Sequence, residues 1–463
     1  FDENVVVQIS RTGTGTSGVN FGNTISTING NGTLQINSGG FVDINPPTYA
    51  DLSLLRYNTG GDYNRSVEWS TASSGPGHPF NVRISRPAVP QTRLIAGPTV
   101  AYSTTDLNLR GSLTIDDGNT FDMTNAAGGS ATNMAVPLTA GLDINISGTL
   151  IASQNAGGNI ILGRSWTRFT GGVFTHNNRS VTFNSGLNAT VAGPGVGESF
   201  YSLIISKAVL NNTVTLNSPV IVTNDLTLTM GVFLSSVSNL FIMNAGTTYT
   251  GGSTNSFVGG PLKKIGNTAF TYPVGKIAGG ANHYRTIGIS APGNITDEFT
   301  AEFHRNSSYN VGTISPGAAA AGLQWVSACE FWDLVRDLGS SVVSVTLSWT
   351  AQSRCNVGAY VTSIGQLRVV ENLVNPRTWS GITANWGDNF GRHGETGDNT
   401  EGTITYNTTG IYHRFTLGTI DTRGNPLPFQ LFQFKGNKRS SDVELIWKVA
   451  GNQDQQQYTV EHS

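Results

Sequence analysis

Residues 214–234 read VTLNSPVIVTNDLTLTMGVFL, and their apolar residues follow a six-residue period. Val214, Val220, Leu226 and Val232 start four steps, and a second apolar residue lies two places after each. Such alternation predicts a short strand at each step. The linkers are too short for a crossover helix and lack the glycine of a two-residue hairpin. Short strands with brief polar corners at a fixed period are typical of a β-solenoid, so the stretch predicts three sides of one coil.

The same pattern extends over much of the first half of the chain. Leu107 and Leu113 repeat the six-residue step, and glycine and asparagine supply the corners between strands. We therefore predict a β-solenoid, or parallel β-helix, over residues 101–262. Residues 1–100 are predicted to form an N-terminal cap and the first coils, because an uncapped first coil exposes its apolar end and an unpaired strand edge.

Beyond residue 262 the predicted strands are longer and richer in aromatic residues, as in residues 299–303 and 342–349. Strands of this length with long connections indicate an antiparallel β-sandwich over residues 263–424. A proline-containing linker then leads into residues 425–463, which carry two further strand patterns. The sequence as a whole predicts an all-β protein.

Composition restricts the classes of function. Charged residues make up 12% of the 463 residues, about half the usual share, and the net charge is −2. This charge offers no basic surface for nucleic acid or anionic lipid, so those partners are excluded. No apolar run is long enough for a membrane span. The chain starts at Phe1 without an initiator methionine or a signal peptide, which indicates a mature or excised form.

Several segments occur in a characteristic order. They are FYSLII at 200–205, DLTLT at 225–229, SFVGGPL at 256–262, FTYPVGK at 270–276, EFWDL at 330–334, VTLSW at 345–349, LPFQLFQF at 427–434, VELIW at 443–447 and YTVE at 458–461. Together they resemble the large secreted surface proteins of Bacteroidota that the type IX secretion system exports. The last three segments resemble the start of the fibronectin type III-like module that commonly precedes the sorting domain of those proteins.

The resemblance implies an extracellular, cell-surface protein. From the solenoid, which makes a stiff spacer with outer faces for contact, we expect a structural, adhesin-like role and no enzymatic activity. Its expected partners are surface proteins, extracellular proteins or glycans. Residues 425–463 hold only part of a fibronectin type III-like module, and half a sandwich leaves an open strand edge. We therefore keep a second hypothesis, in which another chain completes this sheet by strand addition and the protein is a subunit of an extracellular filament.

Acidic residues in the solenoid raise an enzymatic alternative, because parallel β-helices often carry polysaccharide-cleaving sites. Asp106, Asp116, Asp117 and Asp122 lie close together in sequence, and glycosidases need two carboxylates across a cleft. However, Asp-Asp-Gly-Asn at 116–119 is also a good turn sequence. We expect a turn here and no catalytic residue, and keep a polysaccharide-active or carbohydrate-binding protein as the alternative.

The second half of the chain holds further candidates. The loop at 386–399 mixes carboxylates with glycine, so it could bind calcium or form a solvated hairpin tip; no other cofactor is expected. Trp379 and Trp386, with Tyr63 and Trp69, fall in or near loops, where aromatic rings can stack on sugars. Cys329 and Cys355 are the only cysteines, and in a secreted protein they would form a disulfide; two buried free thiols are the alternative.

Overall fold

The computed structural model describes the chain apart from residues 2, 12–17, 24–25, 71–72, 97–105, 125–132, 196, 306–317, 320, 328, 355–359, 373–388, 422–429, 440–441 and 451–463. For residues 430–439 and 442–450 only the backbone is described. The chain divides into two compact units, Phe1–Ser256 and Phe257–Ser463. The sequence predicts this boundary between residues 262 and 263.

The first unit is built from short strands: β1 (Val6–Ile9), β2 (Thr27–Ile28), β3 (Thr33–Asn37), β4 (Thr48–Tyr49), β5 (Leu54–Asn58), β6 (Gly61–Asn64), β7 (Asn81–Ile84), β8 (Thr92–Ile95), β9 (Leu107–Leu109), β10 (Leu113–Ile115), β11 (Thr120–Asp122), β12 (Leu138–Ala140), β13 (Ile144–Ile146), β14 (Thr149–Ile151), β15 (Ile160–Leu162), β16 (Trp166–Arg168), β17 (Val173–Thr175), β18 (Ser180–Phe183), β19 (Ala189–Ala192), β20 (Glu198–Ser206), β21 (Thr213–Leu216), β22 (Val220–Leu234), β23 (Phe241–Met243), β24 (Thr248–Gly251) and β25 (Ser256–Val258). A short 3₁₀ helix covers Val67–Trp69.

The strands of the first unit form a β-solenoid of about 10 turns, and the predicted fold class is confirmed. In the stretch quoted above, β21 is followed by Val220–Val222, then by Asp225–Leu228, and the chain returns at Val232 to pair in parallel with Thr213 of β21. One coil therefore has three sides, as predicted. The predicted separate strands at 220–234 are instead one continuous strand, β22, that turns two corners.

Each side of the coil is a parallel ladder. Side A runs through β1, β3, β5, β7, β10, β13, β16, β19 and β21 to the end of β22. Side B runs through β6, β8, β11, β14 and β17. Side C runs through β9, β12, β15 and β18 to the second halves of β20 and β22. At about 4.8 Å per step, the ten strands of side A span about 45 Å.

The interior of the solenoid is filled by stacked apolar side chains. On side A, Val82 pairs with Leu113 and Leu113 with Ile144, and all three side chains are fully buried. Each such residue contributes about 1.5–3 kcal/mol by leaving water. Alternate residues point outward and are polar, which is why a period of two inside a strand marks this fold.

Polar side chains link neighbouring coils at the corners. The buried amide of Asn119 accepts the backbone N–H groups of Arg86 and Thr92, each at 3.0 Å. Arg83 and Asp116 form an ion pair at 2.9 Å between successive coils. These contacts occupy polar groups that the short backbone ladders do not pair, so they hold adjacent coils in register.

The second unit contains the strands β26 (Leu262–Ile265), β27 (Phe270–Tyr272), β28 (Gly275–Ala278), β29 (Ala281–Tyr284), β30 (Ile287–Ile289), β31 (Glu298–Arg305), β32 (Trp325–Val326), β33 (Glu330–Leu338), β34 (Ser344–Trp349), β35 (Leu367–Asn372), β36 (Asn389–Gly391), β37 (Gly394–Gly397), β38 (Gly402–Asn407), β39 (Arg414–Thr419), β40 (Gln430–Arg439) and β41 (Asp442–Ala450). Two 3₁₀ helices cover Ala351–Ser353 and Ile364–Gln366.

Two antiparallel sheets form the β-sandwich of this unit. One has the order β26-β31-β33-β39-β35-β36, and the other has the order β27-β30-β34-β38-β37. Phe299, Trp332 and Trp349 are buried in its core. The Tyr272 hydroxyl donates to the Phe299 carbonyl at 3.0 Å and links the two sheets.

A buried charge cluster lies within the sandwich. Arg285 and Glu330 are fully buried, with Arg285 Nε 3.3 Å from Glu330 Oε2. Arg305 Nη1 lies 3.2 Å from the same oxygen, and Arg285 Nε also donates to Ser353 Oγ at 2.8 Å. Burial raises the pKa of Glu330, and the Arg285 guanidinium opposes that rise. A carboxylate in this setting is tolerated only because cations face it.

The C-terminal strands β40 and β41 form an antiparallel hairpin that pairs with no other strand in the described part of the chain. The predicted strand at 458–461 lies outside the described residues, and the fibronectin type III-like module stays a prediction. No helix among the described residues has the length and hydrophobicity of a membrane-spanning segment.

Candidate functional site

An open depression of about 530 Å³ lies on the solenoid surface where β17 ends. We call it the β17 depression. Its lining consists of Gln154, Phe174, Thr175, His176, Asn177, Asn178 and Arg179. It combines two aromatic rings with hydroxyl, amide and guanidinium groups, and none of these residues carries a carboxylate.

The depression borders a free strand edge. β17 is the last strand of the five-stranded ladder of side B, and no strand pairs with its far edge among the described residues. Val173 N–H donates to Gly148 at 2.8 Å, and the Thr175 carbonyl accepts from Ala152 at 2.9 Å, both toward β14. Because hydrogen-bonding groups alternate along a strand, the N–H and C=O of Phe174 point away from β14, toward the next coil.

Aromatic rings surround this edge. The half-buried Phe174 ring packs edge-on against Trp166, with ring centroids 4.7 Å apart. Phe200 of the next coil lies 6.2 Å from Phe174. Beside them, His176 and Tyr201 lie 5.6 Å apart at an interplanar angle of 32°. Since Trp166 and Phe200 are fully buried, they support the partly exposed rings from below.

A tight turn positions the polar groups. Asn177 and Asn178 have φ values of 44° and 60°, a conformation that asparagine tolerates better than most residues, and Arg179 N–H donates to the His176 carbonyl at 2.8 Å. The Asn177 amide donates to Ala152 at 2.7 Å, and Arg179 Nη1 donates to Asn155 at 2.9 Å. The turn is thus anchored to the preceding coil, so its side chains are held in place before any ligand arrives.

Two amide groups in the depression remain available. The side chains of Gln154 and Asn178 are exposed, and neither forms a hydrogen bond with another described residue. Partial burial lowers the pKa of His176, so this ring is neutral at pH 7. The depression therefore offers aromatic rings, amides and a neutral imidazole.

An arginine bridges the coils beside the free edge, at a place we call the coil seam, between β17 and Glu198–Phe200. Arg168 Nε donates to Glu198 Oε2 at 2.7 Å, and its terminal nitrogens donate to Gly172 at 3.1 Å and to Gly197 at 3.0 Å. Burial raises the pKa of Glu198 to about 7, against the effect of Arg168. Side-chain bonds replace the missing backbone ladder at this seam.

Each of the acidic candidates has contacts of its own in the solenoid. Asp116 pairs with Arg83, and its carbonyl accepts Asn119 N–H at 3.0 Å across a turn with Gly118 at φ 72°. Asp122 is fully buried, where Arg93 and Thr124 donate to its carboxylate at 3.0 Å and 2.7 Å. The backbone carbonyls of Asp106 and Asp117 accept from the side-chain amides of Asn108 and Asn119. The segment 116–119 therefore forms the turn that its sequence indicated.

The candidate aromatic residues have different outcomes. Trp379 and Trp386 lie outside the described residues, so their role in sugar binding stays a prediction. The prediction that Trp69 is exposed was wrong. Its side chain is fully buried against Phe121, with ring centroids 5.8 Å apart, because its 3₁₀ helix turns into the solenoid. Tyr63 is half-buried and donates to Glu68 at 3.1 Å.

The other candidates of the second unit are partly described. Within 386–399, residues 386–388 lie outside the described residues, and Asp398 accepts from Thr400 N–H at 2.7 Å and Glu401 N–H at 3.1 Å in the tip of the β37–β38 hairpin. Cys329 is buried and disulfide-bonded. Cys355, the other cysteine of the sequence, lies outside the described residues.

In the described part of the chain, no group of three or more histidine, cysteine, aspartate or glutamate side chains could hold a metal ion. Comparisons with protein-family models, with curated proteins and with solved structures find no match to this chain.

The sequence did not predict the β17 depression, because Gln154, Phe174 and Tyr201 lie on three successive coils. The consecutive asparagines of His176-Asn177-Asn178-Arg179 were the available signal, since they mark a turn with two positive φ values.

Proposed function

We propose that this chain is a structural, adhesin-like protein of the cell surface, in which the solenoid is a stiff spacer and its outer faces make contacts. The observation that carries the proposal is the unbroken ladder of side A, in which each strand from β1 to the end of β22 pairs with its neighbour. Bending such a unit would stretch backbone hydrogen bonds on one side and compress buried side chains on another. Rigidity therefore needs no ligand or metal.

The surface chemistry supports contact at outer faces. Outward positions carry neutral hydroxyl and amide groups, such as Thr227 and Thr250, whose hydroxyl groups lie 3.3 Å apart on neighbouring coils. A neutral surface of this kind favours many weak hydrogen bonds over long-range electrostatic attraction. The resemblance to type IX-exported surface proteins adds the extracellular location and the export route to the proposal.

The proposal is tested by locating the protein and measuring attachment. Antibodies against the folded protein should label intact, unpermeabilised cells, and a strain that lacks the gene should attach less to surfaces or to other cells. Label that appears only after permeabilisation would refute the location. Attachment equal to that of the parent strain would refute the adhesive role.

The enzymatic alternative has a direct test. Purified protein is incubated with a panel of polysaccharides, and reducing ends are measured for the native protein and for Asp116→Ala. We expect no turnover from either, since Asp116 is occupied by Arg83 and lies in a turn. Turnover that is lost in Asp116→Ala would establish the enzyme instead.

The filament alternative rests on the hairpin of β40 and β41, whose outer edges are unpaired in the described part of the chain. Unpaired edges of this kind accept a strand from another molecule. Negative-stain images of native material would show filaments under this hypothesis and single particles under the proposed function.

A further inference from the structure

We propose that the β17 depression is a binding site for a neutral oligosaccharide. This inference rests on the proposed function and names the class of partner that the solenoid contacts. It is carried by three features of the depression: partly exposed aromatic rings on a rigid support, side-chain amides that form no hydrogen bond with another described residue, and a turn that holds these groups in place.

The aromatic rings supply the apolar part of the site. A sugar ring has a face of C–H groups that packs on an aromatic face, and the quadrupole of the aromatic ring favours that contact. Phe174 is held by Trp166 at 4.7 Å, and His176 by Tyr201 at 5.6 Å. These rings keep their places without a ligand, so little side-chain entropy is lost on binding.

The polar groups match hydroxyls better than charges. An amide carries both donors and an acceptor and can serve two neighbouring hydroxyls of one sugar. Gln154 and Asn178 have such amides free. Arg179 Nη1 donates to Asn155, and its Nε donates to the Asn177 carbonyl at 3.2 Å, so these donors are used within the protein and hold the turn.

The size and openness of the depression indicate an oligomer. A volume of about 530 Å³ that is open along one side admits more than one sugar ring and leaves both ends of a chain free to continue. Exposed apolar residues beside it, Phe169 at 49% and Val173 at 48%, extend the contact surface beyond the depression. The partner is thus a polysaccharide segment of the surroundings or of another cell.

The test is isothermal titration calorimetry of the whole protein. The neutral probes are three hexamers: β-1,4-linked glucose, α-1,4-linked glucose and mannose. A hexamer of galacturonate is the charged comparison. The site variant is the double substitution Gln154→Ala with Asn178→Gly. Asn178 has φ 60°, which glycine adopts freely, so the turn is kept while the amide is removed. The matched control is Asn211→Gly, at φ 69° in another corner of the solenoid.

We expect at least one neutral hexamer to bind, the site variant to weaken that binding by about tenfold or more, and the control to leave it within about twofold. Absence of binding for all neutral hexamers at about 10 mM would overturn the inference. So would equal loss in site variant and control, or tighter binding of galacturonate.

Beads coated with each protein separate this inference from the proposed function. If beads coated with the native protein attach to cells and beads coated with the site variant attach equally well, the sugar site is refuted and the adhesive role is kept. Failure of native beads to attach would refute the adhesive role whatever the calorimetry shows.

Discussion

Replacement of Glu330 by glutamine should selectively destabilise the β-sandwich. The change keeps the shape of the side chain and removes the negative charge that faces the guanidinium groups of Arg285 and Arg305 at 3.3 Å and 3.2 Å. Removing one partner of a buried ion pair costs about 3–5 kcal/mol, because the remaining charge is left uncompensated. Since domains are stable by only about 5–15 kcal/mol, this loss is a large share of the total.

The assay is hydrogen–deuterium exchange measured by mass spectrometry, which follows each strand separately. Loss of 3 kcal/mol lowers the protection of amides that exchange by opening of the sandwich by about a hundredfold or more. Peptides that cover β31 and β33 should show this change, whereas peptides from β13 and β16 of the solenoid should keep their protection. The exchange rates of these peptides therefore show which of the two units has lost stability.

The matched control is Glu298→Gln on β31. Glu298 pairs with Lys263 at 2.6 Å, but both side chains are partly exposed, at 23% and 17%. Such a pair contributes about 1 kcal/mol or less, so protection should change by fivefold at most. Equal effects of Glu330→Gln and Glu298→Gln would refute the reasoning, because they would mean that Glu330 is already uncharged in the folded protein.

Three further outcomes are expected. Burial of the Lys207 ammonium lowers its pKa to about 8, so the native protein should gain at most about 3 kcal/mol of stability as the pH rises from 8 to 10.4, and lose it again as the pH falls back to 8. Urea unfolding of Lys207→Met should lack this gain. A fall in native stability over that range relative to the variant would contradict the prediction. Asn119→Ala leaves two backbone donors unpaired and should cost about 2–5 kcal/mol in urea unfolding. The partly exposed control Asn108→Ala should cost less than about 0.5 kcal/mol. Equal costs would show that the buried amide does not link the coils. Asp116→Ala loses a partly exposed ion pair and should lower the unfolding free energy by less than about 1 kcal/mol, so a larger loss would show that this pair does more than a surface contact.

The three-sided coil was predictable because each of its strands shows the alternation of apolar and polar residues by itself. In residues 214–234 the alternation of apolar residues within each step, and the repeat of the step, predicted three sides correctly. Pairing between coils was not predictable, because coil length varies: Val82 pairs with Leu113, whereas Thr213 pairs with Val232. The residue with which a strand residue pairs in the next coil depends on the length of the corners between the two strands. Corner residues do not follow the apolar alternation, so the alternation does not predict the pairing.

Buried polar residues are the main features that the sequence concealed. Glu330 and Arg285 are charged residues that would ordinarily be assigned to the surface, and their partners lie far apart in the chain. The residues around Trp69 predict a position in or near a loop, but its 3₁₀ helix carries the side chain into the core. In each case a contact between distant segments decided the position, and local pattern holds no information about such contacts.

The coil seam bears on how the solenoid would fail under tension. Side A joins neighbouring turns by an unbroken main-chain ladder, but between β17 and Glu198 another side of the wall depends on the guanidinium of Arg168. Force along the axis would concentrate there, since fewer bonds share it. We expect the solenoid to part first at this joint and to leave two folded stacks of coils, which would close again when the pull ends.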